Sequence, residues 1–133
     1  MPTGEFTVAT NGRHEMIDLT ARVEQEVAAT GVTEGVLVLY NPHTTAGITI
    51  NEGADPDVRR DLLGAIERIV PRDFPYRHAE GNSPAHLMTM LTGSAATVLV
   101  HRGRLRLGPW QRIFLCEYDG PRARTVWWHV LAG

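Results

Sequence analysis

Four short apolar segments separated by turn residues fill the last third of the chain, and they constrain its fold more than any other feature. The segments cover residues 97–101, 105–107, 112–118 and 124–131. Arg102-Gly103 and Asp119-Gly120-Pro121 connect neighbouring segments, and strands that are joined by so few residues run antiparallel. We therefore predict an antiparallel sheet in this part of the protein.

The preceding part of the chain adds further strands. Residues 5–10 alternate between polar and apolar side chains, which predicts a strand. Asn11-Gly12 is a strong signal for a two-residue hairpin, so residues 13–18 are predicted to be the returning strand. Residues 35–40 are continuously apolar, which predicts a strand buried on both faces, and residues 47–51 resume strand character.

Three segments have helical periodicity instead. They run from Leu19 to before Gly31, from Pro56 to about Val70, and from Pro84 to near Gly93. Asp55 and Ser83 are the predicted N-caps of the second and third helices. The second helix is expected to turn its apolar face toward the core, with Leu62, Leu63, Ile66 and Ile69.

These patterns together predict the fold class α+β. We expect an antiparallel sheet in one or two layers with about three helices, forming a single domain over residues 1–133. Trp127 and Trp128 should lie on opposite faces of a strand, so that one is in the core and the other is exposed, as at a subunit interface.

The composition excludes several kinds of chemistry. All 13 basic side chains are arginine, so Schiff-base catalysis, a lysine general base and a Walker-type lysine are impossible. A net charge of −2 and the lack of a long apolar run argue against nucleic-acid and membrane partners. The single cysteine, Cys116, fits a reducing compartment, and we expect a soluble cytoplasmic protein.

Two polar loops carry most of the side chains that can support chemistry. His43 lies in the first, and His78 and His86 lie in or just after the second. Three imidazoles from two loops can form an open metal site for a divalent ion such as zinc or magnesium, with Glu80, Asn82 and Thr45 orienting the ligands. The alternative is that each histidine hydrogen-bonds a neighbouring loop group and has no further role.

The same loops can hold an anion. Thr44 and Thr45 add hydroxyls and backbone N–H groups beside His43, and the helix start at Ser83 adds further N–H donors. We expect His86 at the third helical position, where the helix dipole favours a neutral imidazole suited to metal ligation or to general-base catalysis.

Four residues are candidates for acid–base catalysis, namely His43, His86, Glu52 and Glu80. Asp55 and Asp57 are explained as a helix cap and a partner of the helix dipole. Glu52 and Glu80 have no such structural duty in the predicted fold, which makes them the better carboxylate candidates. Cys116 has no nucleophile signature beside it and is interpreted as an ordinary strand residue.

The order and spacing of several motifs resemble the YjbQ-like family over nearly the whole chain. The motifs are His43-Thr-Thr-Ala-Gly-Ile-Thr-Ile-Asn-Glu52, Asn82-x-x-Ala-His86, Gly93-Ser94 and Gly103-Arg-Leu-x-Leu-Gly108-x-Trp-Gln111-x-Ile-Phe-x-x-Glu117-x-Asp119-Gly-Pro-Arg122. The resemblance implies a small α+β protein that forms a homotrimer, with a histidine-lined pocket near the subunit contacts that can hold a metal or an anion. It also implies a secondary thiamine-phosphate synthase, which joins a pyrimidine diphosphate to a thiazole phosphate.

The resemblance also adds candidate residues at the matching positions. It implies roles for Asn51, Trp110, Gln111 and Glu117 beside the histidines, Thr44, Thr45, Glu52 and Asn82. Pro84 departs from the pattern, since we expect a small or acidic residue there. It tightens the helix start next to His86.

The first functional hypothesis is a small enzyme that binds a phosphorylated heterocycle. Its binding residues would be Thr44, Thr45, Asn51, Asn82, Trp110 and Gln111. A trimer that binds a metal or a phosphorylated metabolite without catalysis is the alternative. Metal-assisted hydrolysis of a phosphate ester needs the same groups and also remains open.

Overall fold

The computed structural model describes residues 2–133 and contains eight strands and three helices. In chain order these are β1 (Thr3–Ala9), β2 (Glu15–Asp18), α1 (Thr20–Thr30), β3 (Glu34–Tyr40), β4 (Ala46–Glu52), α2 (Pro56–Ile69), α3 (Ser83–Thr92), β5 (Ala95–His101), β6 (Arg104–Leu105), β7 (Gln111–Glu117) and β8 (Ala123–Ala132). Within this range, none of the helices has the length and apolar character needed to cross a membrane.

The strands form two sheets, and every ladder is antiparallel. The five-stranded sheet has the order β1-β8-β3-β5-β6, and the three-stranded sheet has the order β2-β7-β4. The main core contains apolar side chains from both sheets and from α1, such as Leu37, Ile48, Val27 and Leu115. This arrangement confirms the α+β prediction and the two sheet layers.

The hairpin predicted at Asn11-Gly12 is wrong. β1 pairs with β8 along seven residues, and β2 pairs with β7 in the other sheet. The turn between β1 and β2 packs on the turn before β8 instead, since the Thr10 N–H donates to the Arg122 carbonyl and the Gly120 N–H to the Arg13 carbonyl. Residues 10–14 therefore pass from one sheet to the other, and long-range pairing has overridden the local turn signal.

The prediction that residues 35–40 are buried on both faces is also wrong. β3 lies between β8 and β5, with Leu37 and Leu39 fully buried on its inner face. Tyr40, on the outer face, is 47% exposed, and it stacks on the equally exposed Trp127 with 5.9 Å between the ring centroids. Trp128 is buried, which confirms that the two tryptophans lie on opposite faces.

The other two helices pack on the three-stranded sheet around a second, smaller core. Met88 of α3 contributes to it, as do Phe114 and Cys116 from the second face of β7. The inward face predicted for α2 is only partly correct. Leu63 and Ile66 pack against this core, whereas Leu62 and Ile69 are exposed.

The helix starts follow the predicted chemistry with one shift. Asp55 caps α2, because its carboxylate accepts the Asp57 N–H at 2.9 Å. The cap position of α3 is Asn82 rather than Ser83, so the helix begins one residue earlier than predicted. His86 consequently lies at the fourth helical position, where its own N–H reaches the Asn82 carbonyl.

Candidate functional site

Residues 41–45, which we call the His43 loop, connect β3 to β4 and are fixed by a buried asparagine. The Asn41 side chain donates from Nδ2 to the Ala46 carbonyl and accepts the His43 N–H through Oδ1 at 3.1 Å. The Asn41 N–H bonds the Ser94 carbonyl at 2.8 Å. An asparagine that closes a loop on itself in this way gives the following residues a defined backbone.

The His43 ring accepts a backbone hydrogen bond from β8 beyond the end of the β3–β8 ladder. The β3–β8 ladder ends at the Tyr40–Trp127 pair, and the Thr125 N–H farther along β8 donates to His43 Nε2 at 2.8 Å. Burial and the nearby Arg124 guanidinium lower the pKa of His43 below its ordinary value. The ring is therefore neutral at pH 7, and because Nε2 accepts a hydrogen bond, the proton lies on Nδ1.

This geometry changes the chemistry expected of His43. A metal ligand needs a free nitrogen lone pair, and the Nε2 lone pair is engaged by the Thr125 N–H. The Nδ1–H group is a hydrogen-bond donor, which suits an oxygen of a phosphate or a carbonyl. His43 thus offers a donor rather than a ligand atom.

A buried ion pair lies next to the His43 loop. Arg124 and Glu117 are 2% and 0% exposed, and the guanidinium contacts both carboxylate oxygens, with Nε to Oε1 at 2.8 Å. Arg124 Nη2 also donates to Thr45, at 2.8 Å to Oγ1 and 3.1 Å to the carbonyl. Burial favours a neutral Glu117, but hydrogen bonds from Arg124, Asp119 and Thr10 outweigh it and lower the pKa of this carboxyl.

The same pair connects the His43 loop to the start of α3. The second Glu117 oxygen accepts the Asp119 N–H at 3.0 Å. The Asp119 carboxylate in turn accepts from Asn82 Nδ2 at 2.8 Å and from Arg122 at 3.3 Å. A continuous series of hydrogen bonds therefore runs from Thr45 to Asn82, and the two loops predicted to form one site meet at residues 117–119.

A polar pocket of about 200 Å³, which we call the α3 pocket, opens at the start of α3. It is lined by Arg13, His14, Arg72, Glu80, Gly81, Asn82, Pro84, Ala85, Tyr118 and Asp119. Because Asn82 Nδ2 is bound to Asp119, Asn82 Oδ1 is fixed as a buried acceptor, and it lacks a partner among residues 2–133. The lining thus includes two arginines and two carboxylate residues, Glu80 and Asp119, next to an unused acceptor.

His78 and His86 lie close together near this pocket. Their ring centroids are 5.7 Å apart at an angle of 77°, with His78 exposed and His86 half-buried. Within residues 2–133, however, no three histidine, cysteine, aspartate or glutamate side chains are grouped as metal ligands would be. His43 does not complete a set of three ligands with His78 and His86 inside one chain.

The start of α3 has fewer free N–H donors than the sequence suggested. Pro84 has no N–H, and the N–H groups of Ala85 and His86 both reach the Asn82 carbonyl. The cradle of N–H donors expected at this helix start is therefore largely used within the helix itself. Side chains, above all those of Arg13 and Arg72, remain as the donors for an anion in the α3 pocket.

The remaining predicted residues lie at the opposite end of the three-stranded sheet. Ala46 pairs with Glu117 at one end of the β4–β7 ladder, and Glu52 pairs with Gln111 at the other. Six residue steps at roughly 3.3 Å each separate the two ends by about 20 Å. The α3 pocket is therefore far from a separate group in the same chain, which we call the Trp110–Gln111 group. It consists of Asn51, Glu52, Trp110 and Gln111.

Glu52 has a structural duty that the sequence did not reveal. Its side chain accepts the Asp55 N–H at 3.0 Å, directly before α2. Asn51 Oδ1 accepts the Glu52 N–H at 2.8 Å, and Gly53 bonds the Trp110 carbonyl at 2.9 Å. Trp110 itself is 63% exposed. This end of the sheet thus presents a tryptophan on a well-fixed backbone.

Sequence reasoning missed the arginines that shape the site. Arg124 alternates with Val126, Trp128 and Val130, so its period-two position already indicated an inward side chain that needs a buried partner. Arg13 and Arg72 lie in a turn and a long loop, where no local pattern sets their direction. The interpretation of Cys116 stands, since burial raises the pKa of its thiol to about 11 and leaves it inert at neutral pH.

The chain as a whole is similar to several known proteins. UPF0047 protein YugU of Bacillus subtilis is 49% identical over 121 residues, which cover 90% of this chain and 92% of YugU. A crystal structure from Clostridium acetobutylicum, described as an uncharacterized conserved protein of the YjbQ/UPF0047 family, is 44% identical with a TM-score of 0.93, covering 96% of this chain and 98% of that one.

A second solved structure is similar over its full length. Hypothetical protein APE1520 of Aeropyrum pernix K1 is 40% identical, with a TM-score of 0.94 over 100% of both chains. The profile described as UPF0047 protein YjbQ-like matches residues 4–133. The chain therefore belongs to the YjbQ-like UPF0047 family.

Proposed function

We propose that this protein is a small enzyme that binds a phosphorylated molecule with its anionic group in the α3 pocket. The main support for this proposal is that Arg13 and Arg72 both line one polar pocket. Guanidinium groups bind phosphate oxygens in bidentate geometry, and in a chain without lysine they are the strongest anion ligands that it has.

The predicted site residues take different roles in this proposal. Glu80 and Asn82 line the pocket, and Asn82 Oδ1 accepts from an N–H or O–H of the ligand. His86, half-buried at the first turn of α3, is the acid–base candidate nearest to them along the chain. His43 and the exposed Thr44 donate to oxygen atoms from the other side of residues 117–119.

The specific reaction that we propose is thiamine-phosphate synthesis. The transfer breaks the bond between the pyrimidine methylene carbon and diphosphate and forms a bond from that carbon to the thiazole nitrogen. Diphosphate leaves as an anion, and the charge that it develops can be stabilised by arginine or by a divalent ion. Arg13 and Arg72 are suited to hold the departing diphosphate, although the chain lacks a dedicated diphosphate loop.

A divalent zinc or magnesium ion would bind at His78 and His86 only if a group from outside the chain supplied a further ligand. His78 and His86 offer two imidazoles with 5.7 Å between ring centroids, and one chain groups no third ligand of this type with them in the described range. We propose that His78 and His86 hold the ion together with water or with a residue of a neighbouring subunit. When bound, such an ion would supply Lewis-acid stabilisation of the departing oxygen.

A homotrimer would supply that neighbour. The outer face of the five-stranded sheet carries exposed apolar side chains, namely Tyr40, Leu99, Trp127 and Leu131. Apolar side chains gathered on one face are typical of a protein–protein interface. We further propose that the Trp110–Gln111 group of one subunit completes the α3 pocket of another, because about 20 Å separates the two groups within one chain.

The reaction is tested by incubating purified protein with the pyrimidine diphosphate and the thiazole phosphate. Release of diphosphate together with formation of thiamine phosphate, lost on His86→Ala and on the paired change Arg13→Met/Arg72→Met, supports the proposal. Turnover that persists at the wild-type rate in all of these variants would place the chemistry elsewhere.

Completion of the site across subunits has its own test. Asn82→Ala and Gln111→Ala proteins are each expected to be inactive, and trimers assembled from a mixture of the two should regain part of the activity. Mixed trimers that stay inactive would show that each chain uses its own two groups.

A non-catalytic trimer that binds a metal or a phosphorylated metabolite is the second candidate. One observation favours it: Glu52 supports the start of α2 and His43 completes a strand edge, so two of the four catalytic candidates already have structural partners. Tight binding of diphosphate without turnover of either substrate would support this candidate. Release of inorganic phosphate from a phosphate ester would favour a hydrolase instead.

A further inference from the structure

The inner face of β8 contains one residue that does not belong to an apolar core. Arg124 alternates with Val126, Trp128 and Val130, all of which are buried, and is itself only 2% exposed. A charge at such a position loses its hydration, and a hydrophobic pair of similar volume often gives equal or greater stability than a buried ion pair. Stability alone therefore does not account for Arg124 and Glu117 at this position.

Arg124 acts on the His43 loop through two routes. Its side chain holds both oxygens of Thr45, two residues after His43. Its backbone leads directly into Thr125, whose N–H donates to His43 Nε2 at 2.8 Å. One residue thus fixes the loop on which the imidazole is mounted and is adjacent to the donor that orients the ring.

We propose that Arg124, paired with Glu117, is a positioning residue that holds His43 in one orientation and one tautomer, with the Nδ1–H group directed at a ligand oxygen. This inference rests on the proposed role of His43 as a hydrogen-bond donor. Without the guanidinium, the Thr45 segment loses its anchor and the ring can rotate away from the Thr125 N–H. The imidazole then exchanges between two tautomers, and the fixed donor is lost.

The test uses a substitution that removes the charges but keeps the volume of the pair. Arg124→Met/Glu117→Leu leaves no unpaired buried charge, so the variant is expected to fold. Long-range ¹H–¹⁵N correlation spectra of the ligand-free protein report which ring nitrogen of His43 carries the proton. Arg60→Met, at an exposed position of α2, is the matched control.

The wild type and Arg60→Met should show a single His43 tautomer protonated at Nδ1, whereas the double variant should show both tautomers and faster hydrogen exchange at the Thr125 amide. If the double variant does not fold, Thr45→Val removes one of the Arg124 contacts and should change the spectrum in the same direction. A single Nδ1–H tautomer in a folded double variant, or in Thr45→Val when the double variant does not fold, would overturn the proposal. Because the spectra need no ligand, failure of phosphate binding in the wild type would count against the proposed function alone.

Discussion

The bond between the Thr125 N–H and His43 Nε2 decides which chemistry His43 can offer. From sequence, this histidine was equally suited to a metal, to a proton or to an anion. The structure leaves it a neutral donor at Nδ1, and that state depends on its environment. For individual residues, the chemistry of the site therefore depends mainly on which side-chain atoms already form hydrogen bonds within the protein.

Protonation of His43 should destabilise the folded protein. Its pKa is lowered in the fold by burial and by Arg124, so the unfolded chain binds a proton more readily. The stability that this difference provides is present above the ordinary histidine pKa of about 6.5 and is lost as the pH falls below it. Urea unfolding at about pH 7.5 and about pH 5.5 should show a smaller decrease for His43→Gln than for the wild type. An equal decrease in both proteins would contradict this prediction.

Arg124→Met alone should be far more harmful than the double change. It leaves the Glu117 carboxylate buried without its main partner, which costs about 3–5 kcal/mol of unfolding free energy. Glu117 has a lowered pKa in the fold, so the stability due to its ionised form is present above its ordinary value of 4.5 and is lost as the pH falls through the lower folded value. Denaturant titrations at neutral and acidic pH measure both effects. A loss below about 1 kcal/mol would show that water reaches this pair.

The individual helices and strands are where the sequence was most informative, because each depends on local patterns. The Asp55 cap, the left-handed Gly31 after α1 and the alternation along β8 all follow from nearby residues. The pairing of strands does not follow from nearby residues. β1 pairs Thr3 with His129, far beyond the reach of the local hairpin signal at Asn11-Gly12. Long-range contacts limit the prediction of the site in the same way. Glu80 and Asn82 could be predicted as site residues from their loop, but the contact of Arg124 with Thr45 could not be predicted.

The start of α2 gives a direct test of the role of Glu52. Glu52→Gln keeps an oxygen that can accept the Asp55 N–H, but it cannot exchange a proton. We expect both the melting temperature and any transferase activity to remain near wild-type values. Glu52→Ala serves as the control and should lower the unfolding free energy by about 1 kcal/mol, as the loss of a helix-capping contact does. Loss of activity in a fully stable Glu52→Gln protein would restore the acid–base role.

For the protein as a whole, two features favour the proposed homotrimer. One is the exposed apolar outer face of the five-stranded sheet, and the other is the separation of the predicted site residues into two groups. One chain carries the α3 pocket and the Trp110–Gln111 group at opposite ends of its three-stranded sheet. A single small ligand cannot contact both groups in one chain. The proposed homotrimer would allow a neighbouring subunit to supply the second group to the ligand.

Trp127→Glu should break this assembly. A carboxylate in the stacked Tyr40–Trp127 pair places a charge within the proposed apolar interface, where it cannot keep its hydration. Light scattering after size exclusion should give the mass of three chains for the wild type and of one chain for the variant. Arg60→Glu, which introduces a carboxylate at an exposed position of α2, should remain trimeric. A wild-type protein that is monomeric at all concentrations would contradict the trimer.

The proposed function depends most on the binding of diphosphate to the α3 pocket, which isothermal titration calorimetry measures. Wild-type protein should bind the anion, and Arg13→Met/Arg72→Met should weaken binding at least about tenfold, since each hydrogen bond to a charged group contributes about 1.5–3 kcal/mol. Arg102→Met, which changes an exposed arginine that does not line this pocket, should bind diphosphate as the wild type does. Equal diphosphate affinity in all three proteins would show that the α3 pocket is not the anion site.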